Sequence, residues 1–67
     1  MLEIELNGAA YQLPGAASLH ALVEMLGLSG QAVAMAVNRH VVPREYWRTT
    51  LLRPRDRVDV VRAIGGG

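Results

Sequence analysis

Leu2-Glu3-Ile4-Glu5-Leu6-Asn7-Gly8-Ala9-Ala10-Tyr11-Gln12-Leu13 opens the chain with a hairpin written into its residue order. Leu2, Ile4 and Leu6 alternate with Glu3 and Glu5, the two-residue period of a strand with one apolar and one wet face. Asn7-Gly8 follows at once. A type I′ turn needs φ > 0 at both central residues, and this pair tolerates it best. A second strand, Ala9 to Leu13, therefore returns antiparallel, and Pro14-Gly15 closes it. Glu3 and Glu5 read as a wet face that protects the sheet, not as a catalytic pair.

The next stretch changes period. Ser18 can cap a helix by accepting a hydrogen bond from an orphan N–H. Leu19, Leu22, Val23 and Leu26 then follow at i, i+3, i+4 and i+7, one face of a helix. Met25 extends it and Gly27 is its C-terminal stop. At about nine residues this helix is too short to persist alone in water, so it must dock on a sheet. The six-residue apolar run Ala32 to Val37 reads as a buried strand. Asn38-Arg39-His40 turns it back into Val41-Val42, where Pro43 stops pairing for want of an N–H. Pro43 also suits the first position of a short helical turn through Arg44-Glu45-Tyr46-Trp47. Leu51-Leu52 is a brief apolar element and Arg53-Pro54-Arg55-Asp56 a polar turn. Arg57 to Ile64 is a last strand, with Val58, Val60 and Arg62 on one side and Val61 and Ala63 on the other. Strands gathered around one helix indicate an α+β layer fold: a mixed sheet of four to five strands on one main helix. The first and last strands can pair in parallel across the long connection.

Composition narrows the function. The chain has 67 residues, so a second domain is excluded. It has no cysteine, which removes disulfides and Cys-containing zinc sites. His20 and His40 cannot complete a four-ligand site, so no metal is expected. There is little room for an enzyme cleft, since ligand pockets take about 300 Å³ or more. All 7 basic residues are arginine, and against 6 acids they leave a net charge of +1, which speaks against a nucleic-acid or membrane partner. The acidic start Met1-Leu2-Glu3-Ile4-Glu5 is unlike a signal peptide. The longest apolar run falls far short of the ~20 residues that span a bilayer. A cytoplasmic carrier or binding module is the expectation.

Gly65-Gly66-Gly67 is the feature that points to chemistry. At ordinary glycine usage, such a run at three given positions arises by chance roughly a few times in ten thousand. Glycine has no side chain and wide backbone freedom. Such a segment can thread a narrow channel and bring its carboxylate close to another protein's backbone. A free carboxylate is a poor electrophile, so it needs activation, for instance as an acyl adenylate.

Ala36-Val37-Asn38, Val41-Val42-Pro43-Arg44-Glu45 with Trp47, Asp56-Arg57-Val58 and Ala63-Ile64-Gly65-Gly66-Gly67 together resemble one group of proteins over essentially the whole chain. These are the ubiquitin-like, β-grasp proteins, and within them the ThiS family of sulfur carriers of thiamine biosynthesis. The resemblance implies a β-grasp domain over residues 1–64 and a flexible glycine tail over 65–67. It implies adenylation of Gly67 by a partner resembling the ubiquitin-activating enzymes, with ATP used by that partner and no cofactor bound by the carrier. Sulfur relayed from cysteine by a desulfurase system would then make a thiocarboxylate on Gly67, and thiazole synthase would consume it. Gly65 and Gly66 would thread the tail. The carrier is then a substrate and not an enzyme. The absence of cysteine and lysine fits this chemistry, because neither an internal acyl disulfide nor side-chain amine capture is available.

Arg62 lies near the tail and is the arginine best placed to steer docking; Val61, Ile64 and Tyr46 are further docking candidates. Val42 and Leu52 are weighed with them as apolar positions that an exposed patch could include. Trp47 reads as a cap on a core that has no Phe. The family commonly has an Asp-Gly-Asp-type turn before the last strand, where this chain has Pro54-Arg55-Asp56. Arg55 takes φ > 0 less freely than Gly, so a different turn type is expected. Two other readings remain: the small subunit of molybdopterin synthase, which shares fold and thiocarboxylate, and a ubiquitin-like interaction module with an inert tail.

Overall fold

The computed structural model describes residues 1–62. Five strands form one mixed sheet in the order β2-β1-β5-β3-β4. β1 (Leu2–Leu6) and β2 (Ala9–Leu13) are the N-terminal hairpin, with Leu6 opposite Ala9. Asn7 at φ 49 and Gly8 at φ 86 make the two-residue turn as read. β3 (Val33–Val37) and β4 (His40–Val42) form a second hairpin through Asn38 and Arg39, at φ 51 and 70. β5 (Arg57–Arg62) runs between the hairpins, parallel to β1 and antiparallel to β3. The sheet is therefore at the upper end of the expected four to five strands, and the parallel pair is where it was expected.

Both turn asparagines do more than turn the chain. Asn7 Oδ1 accepts the Val60 N–H at 2.8 Å. Asn38 Oδ1 accepts the Arg57 N–H at 3.0 Å, and its Nδ2 donates to Asp56 Oδ1 at 3.1 Å. Each hairpin is thus stitched to the central strand by its own turn residue.

Helix α1 covers Leu19–Met25, seven residues where about nine were expected. Ser18 caps it, its Oγ accepting the Ala21 N–H at 3.1 Å. Gly27 ends it at φ 72, with its N–H on Glu24 O and the Leu28 N–H on Val23 O. Those two bonds are the paired closure of a Schellman motif, which makes Leu26 the cap rather than a helical residue. Met25 does extend the helix but turns outward. Leu19, Leu22 and Val23 face the sheet and meet Leu2, Ile4, Leu13, Met35 and Val58. Trp47 and Leu52 close the core at one end. Trp47 is only 3% exposed, and its Nε1–H donates to Val42 O at 2.8 Å, so its polar atom is satisfied.

Four local expectations change. The run Ala32 to Val37 is not a buried strand: only Met35 is buried, and Ala34 is exposed. α1 covers one face of the sheet, and among the described residues no element covers the other. Pro43 sits before the 3₁₀ turn Arg44–Tyr46 as its cap, at φ −58 and ψ 148. Its ψ is extended, so the turn begins one residue later. Leu51 and Leu52 form no strand. Leu51 makes a single bridge to Ser18, while Leu52 enters the core. Finally, Arg55 does adopt φ 69, the conformation glycine would supply. Its N–H donates to Glu3 O at 2.8 Å, while Asp56 Oδ2 accepts the Arg53 N–H at 2.8 Å. These bonds hold the turn against the steric preference of the side chain. The expected strand residues Ala63 and Ile64 lie outside the described residues.

Candidate functional site

The pairing register sorts every strand residue to one face. Opposite residues in the sheet share a face, and successive residues alternate. Ile4, Met35, Val58 and Val60 face α1. The open face carries Gln12, Glu3, Glu5, Arg57, Asp59, Val61, Ala34, Ala36 and Val41. This face is divided. Its β2–β1 side is polar: Gln12 Nε2 donates to Glu3 Oε1 at 3.4 Å, and Arg57 Nε lies 3.2 Å from Glu5 Oε2. On its β5–β3–β4 side an apolar patch has Val61 opposite Ala34 and Ala36 opposite Val41, bordered by Asp59, which is opposite Ala36 on β5. Val61 is 62% exposed and Val41 74% exposed. Large aliphatic side chains left this open, next to small alanines, make a shallow surface a partner can cover.

A groove of about 480 Å³ continues this surface around the end of β3, lined by Ala32, Val33, Ala34, Arg44 and Val61. It adjoins the end of β5, where Arg62 is opposite Val33. The apolar half-face and the last described residue of the chain are therefore adjacent.

Of the residues singled out from sequence, only Val61 lies on this surface; Arg62 follows it in the chain but is on the opposite face of β5 and does not line the groove. Tyr46 is exposed but stands on the 3₁₀ turn and does not line the groove. Val42 faces the core side of β4 and Leu52 is buried, so neither belongs to the open face. Ile64, Gly65, Gly66 and Gly67 lie outside the described residues. Val41 and Ala34 are the residues that sequence reasoning missed. Their signal is the alternation itself: Arg57-Asp59-Val61 turns from polar to apolar along one face of β5, and Ala34-Ala36 are the small residues of a strand whose alternate positions are larger. Among the described residues, no cluster of His, Asp or Glu could hold a metal ion, and no helix is long and apolar enough to cross a membrane.

The model of the ThiS family matches residues 4–67. The chain belongs to the ThiS family. The match runs from Ile4, within β1, through β5 and the three glycines. Among relatives, the sulfur carrier protein ThiS of Escherichia coli (strain K12) is 30% identical over 66 residues, covering 98% of this chain and 100% of that protein. A protein named thiazole synthase from Magnetococcus marinus is 33% identical over 66 residues, but the match takes up only 20% of its length. The crystal structure of the thiamine biosynthesis protein ThiS from Geobacter metallireducens superposes with a TM-score of 0.84, covering 98% of this chain and all of that one, at 23% identity. The fold of this ThiS-family chain is thus the β-grasp arrangement of that structure.

Proposed function

We propose that this chain is a sulfur carrier protein for thiamine biosynthesis, a substrate handed between enzymes rather than a catalyst. The observation that carries this reading is the family match, which runs from β1 through Gly67. Full-length similarity to the Escherichia coli sulfur carrier supports it.

In this reading the Gly67 carboxylate attacks the α-phosphorus of ATP in an adenylating partner. Pyrophosphate leaves and an acyl adenylate forms. The terminal sulfur of a persulfide supplied by a desulfurase system then displaces AMP from the acyl carbon, giving an acyl disulfide; a second thiol of that system attacks the donor's sulfur, forms a disulfide with it and releases the thiocarboxylate on Gly67. Gly65 and Gly66 let the segment pass a narrow opening, having no side chain to obstruct it. ATP belongs to the partner. The carrier's own contribution is a rigid domain and a surface by which each partner recognises it. The half-face of Val61, Val41, Ala34 and Ala36 has the apolar character for that recognition, and its position beside Arg62 lets docking and delivery of Gly67 occur together.

Thiazole synthase is the proposed acceptor. The Magnetococcus marinus protein of that name contains a segment similar to this chain as one-fifth of its length. Placing a carrier-like segment on the acceptor's own polypeptide makes their encounter intramolecular and raises the effective concentration.

The test is intact-mass measurement after incubation with an adenylating enzyme, ATP and a sulfur donor. The expected product has one oxygen of the Gly67 carboxylate replaced by sulfur. A mass that stays unchanged would sink the reading. Deleting Gly67 is expected to abolish the conversion and leave the thermal unfolding of the domain unaltered, because the described core, Leu2 to Val58, lies upstream.

A further inference from the structure

Arg44 lines two neighbouring depressions. One is the apolar groove beside Val61 and Ala34. The other is a notch of about 230 Å³ where α1 meets the 3₁₀ turn. Val23 and Trp47, both buried, form its floor, and Arg44, Arg48, His20 and Gly30 stand around it. Arg44 is held in place. Its guanidinium lies over the Trp47 ring, 4.9 Å from the centroid, and its Nη2 donates to Gln31 O at 2.8 Å. Gln31 is fixed in turn: its N–H donates to Leu28 O at 3.0 Å, and its Oε1 accepts Arg62 Nη2 at 2.9 Å. No Asp or Glu lines the notch, although Glu45 is on the same 3₁₀ turn. Among the described residues, neither Arg44 nor Arg48 pairs with a carboxylate. Glu24 of α1 is turned to His20 instead, its Oε1 3.6 Å from Nδ1.

We propose that this notch receives an acidic side chain, Asp or Glu, of a protein partner that covers the adjoining apolar groove. Three observations choose that occupant. Free small molecules take pockets of about 300 Å³ or more. The notch, at about 230 Å³, falls short of that and admits a single side chain. Guanidinium groups match a carboxylate in both charge and geometry, and these two have none of their own. Finally, a small anion would leave the groove uncovered, whereas a protein surface reaches both, since Arg44 belongs to each. The groove then supplies apolar burial, and the notch fixes which surface fits and in what register. Arg44, already stacked on Trp47, has less side-chain freedom to lose on docking. The proposal rests on the sulfur-carrier reading for its choice of partner, the adenylating enzyme.

The experiment uses the full chain and two arms. In the first, ¹⁵N–¹H shifts of the Gly30 amide and the Trp47 indole follow titration with an end-blocked Leu-Glu-Leu peptide, its Leu-Gln-Leu counterpart, or inorganic phosphate. Leu-Glu-Leu is expected to bind saturably, several-fold tighter than either other probe, and Arg48→Glu should abolish it. No saturable shift overturns the proposal, and so does tighter binding of phosphate, which would make the notch a small-anion site. In the second arm, steady-state adenylation is measured with the carrier as varied substrate. Arg48→Glu is expected to raise KM about tenfold or more with kcat nearly unchanged, and Arg48→Gln to fall between it and the wild type. Arg39→Glu, with the same charge change at the far end of β3, is the control and should move KM much less. Thermal unfolding confirms that each variant is folded. An unchanged KM in Arg48→Glu, or equal effects at positions 48 and 39, overturns the proposal. If the wild-type chain is not adenylated at all, the sulfur-carrier reading fails instead, and the peptide arm alone decides whether the notch takes a carboxylate.

Discussion

Arg55 holds φ 69 in the turn that leads into β5. For a residue with a Cβ that conformation costs about 1–2 kcal/mol. The turn keeps it because Arg55 N–H reaches Glu3 O and Asp56 locks the Arg53 N–H. Arg55→Gly is therefore expected to stabilise the domain by about 0.5–1 kcal/mol, the relief of strain exceeding the added freedom of the unfolded chain. Urea unfolding measures it, and a loss of stability would show that the Arg55 side chain contributes more than its backbone strain costs. Sequence alone suggested that arginine takes φ > 0 less freely than the glycine of related chains. Arg55 adopts it all the same, because backbone and carboxylate bonds from neighbouring elements outweigh one residue's preference. Asn7, Gly8, Ser18 and Gly27, by contrast, adopt the roles their residue types indicate, since each role is satisfied within a few residues.

At the scale of the element, α1 shows what periodicity can and cannot settle. The spacing of Leu19, Leu22 and Val23 correctly marks the buried face, because i, i+3 and i+4 share a side of any helix. Leu22 is fully buried, whereas Met25 is 48% exposed on the same helix. Leu22→Ala is expected to cost about 2–5 kcal/mol. Met25→Ala should fall within about 0.5 kcal/mol. Thermal or urea unfolding of the pair checks this, and equal effects would mean that the helix is rotated from the orientation described. β3 was harder to read. Its run of apolar residues does not reveal whether one face or two are covered, since Ala34 and Ala36 are equally at home on either. Only the presence of a single helix, on one side, leaves Ala34 exposed.

For the whole molecule, the consequence is the divided open face. On the proposed sulfur-carrier reading, with this face as the surface an adenylating enzyme covers, Val61→Asp and Val41→Asp are each expected to weaken capture about tenfold or more, as charge in the centre of an apolar contact does. Their thermal stability should change little, because both side chains are exposed. Glu3→Ala, on the polar half, is the matched control and should leave capture unaltered. Steady-state kinetics with the carrier as varied substrate read all three. Loss of capture in Glu3→Ala but not in Val61→Asp would place the docking surface on the other half of the sheet.

By itself the sequence determined the hairpin, the capped helix, the turns, and through its motifs and terminal glycines the kind of protein this is. Those features depend on neighbours: a φ requirement at Asn7-Gly8, a hydroxyl at Ser18, a period along α1. Only the tertiary structure decided that Val61 and Val41 share a surface and that Arg62 is held by Gln31. Each of these depends on strand order and register between distant segments. The bond from Val60 N–H to Asn7 Oδ1, across a separation of 53 residues, is of that kind. Local residue preferences cannot encode such a contact, because it exists only once burial of one sheet face under α1 has fixed which strands lie side by side.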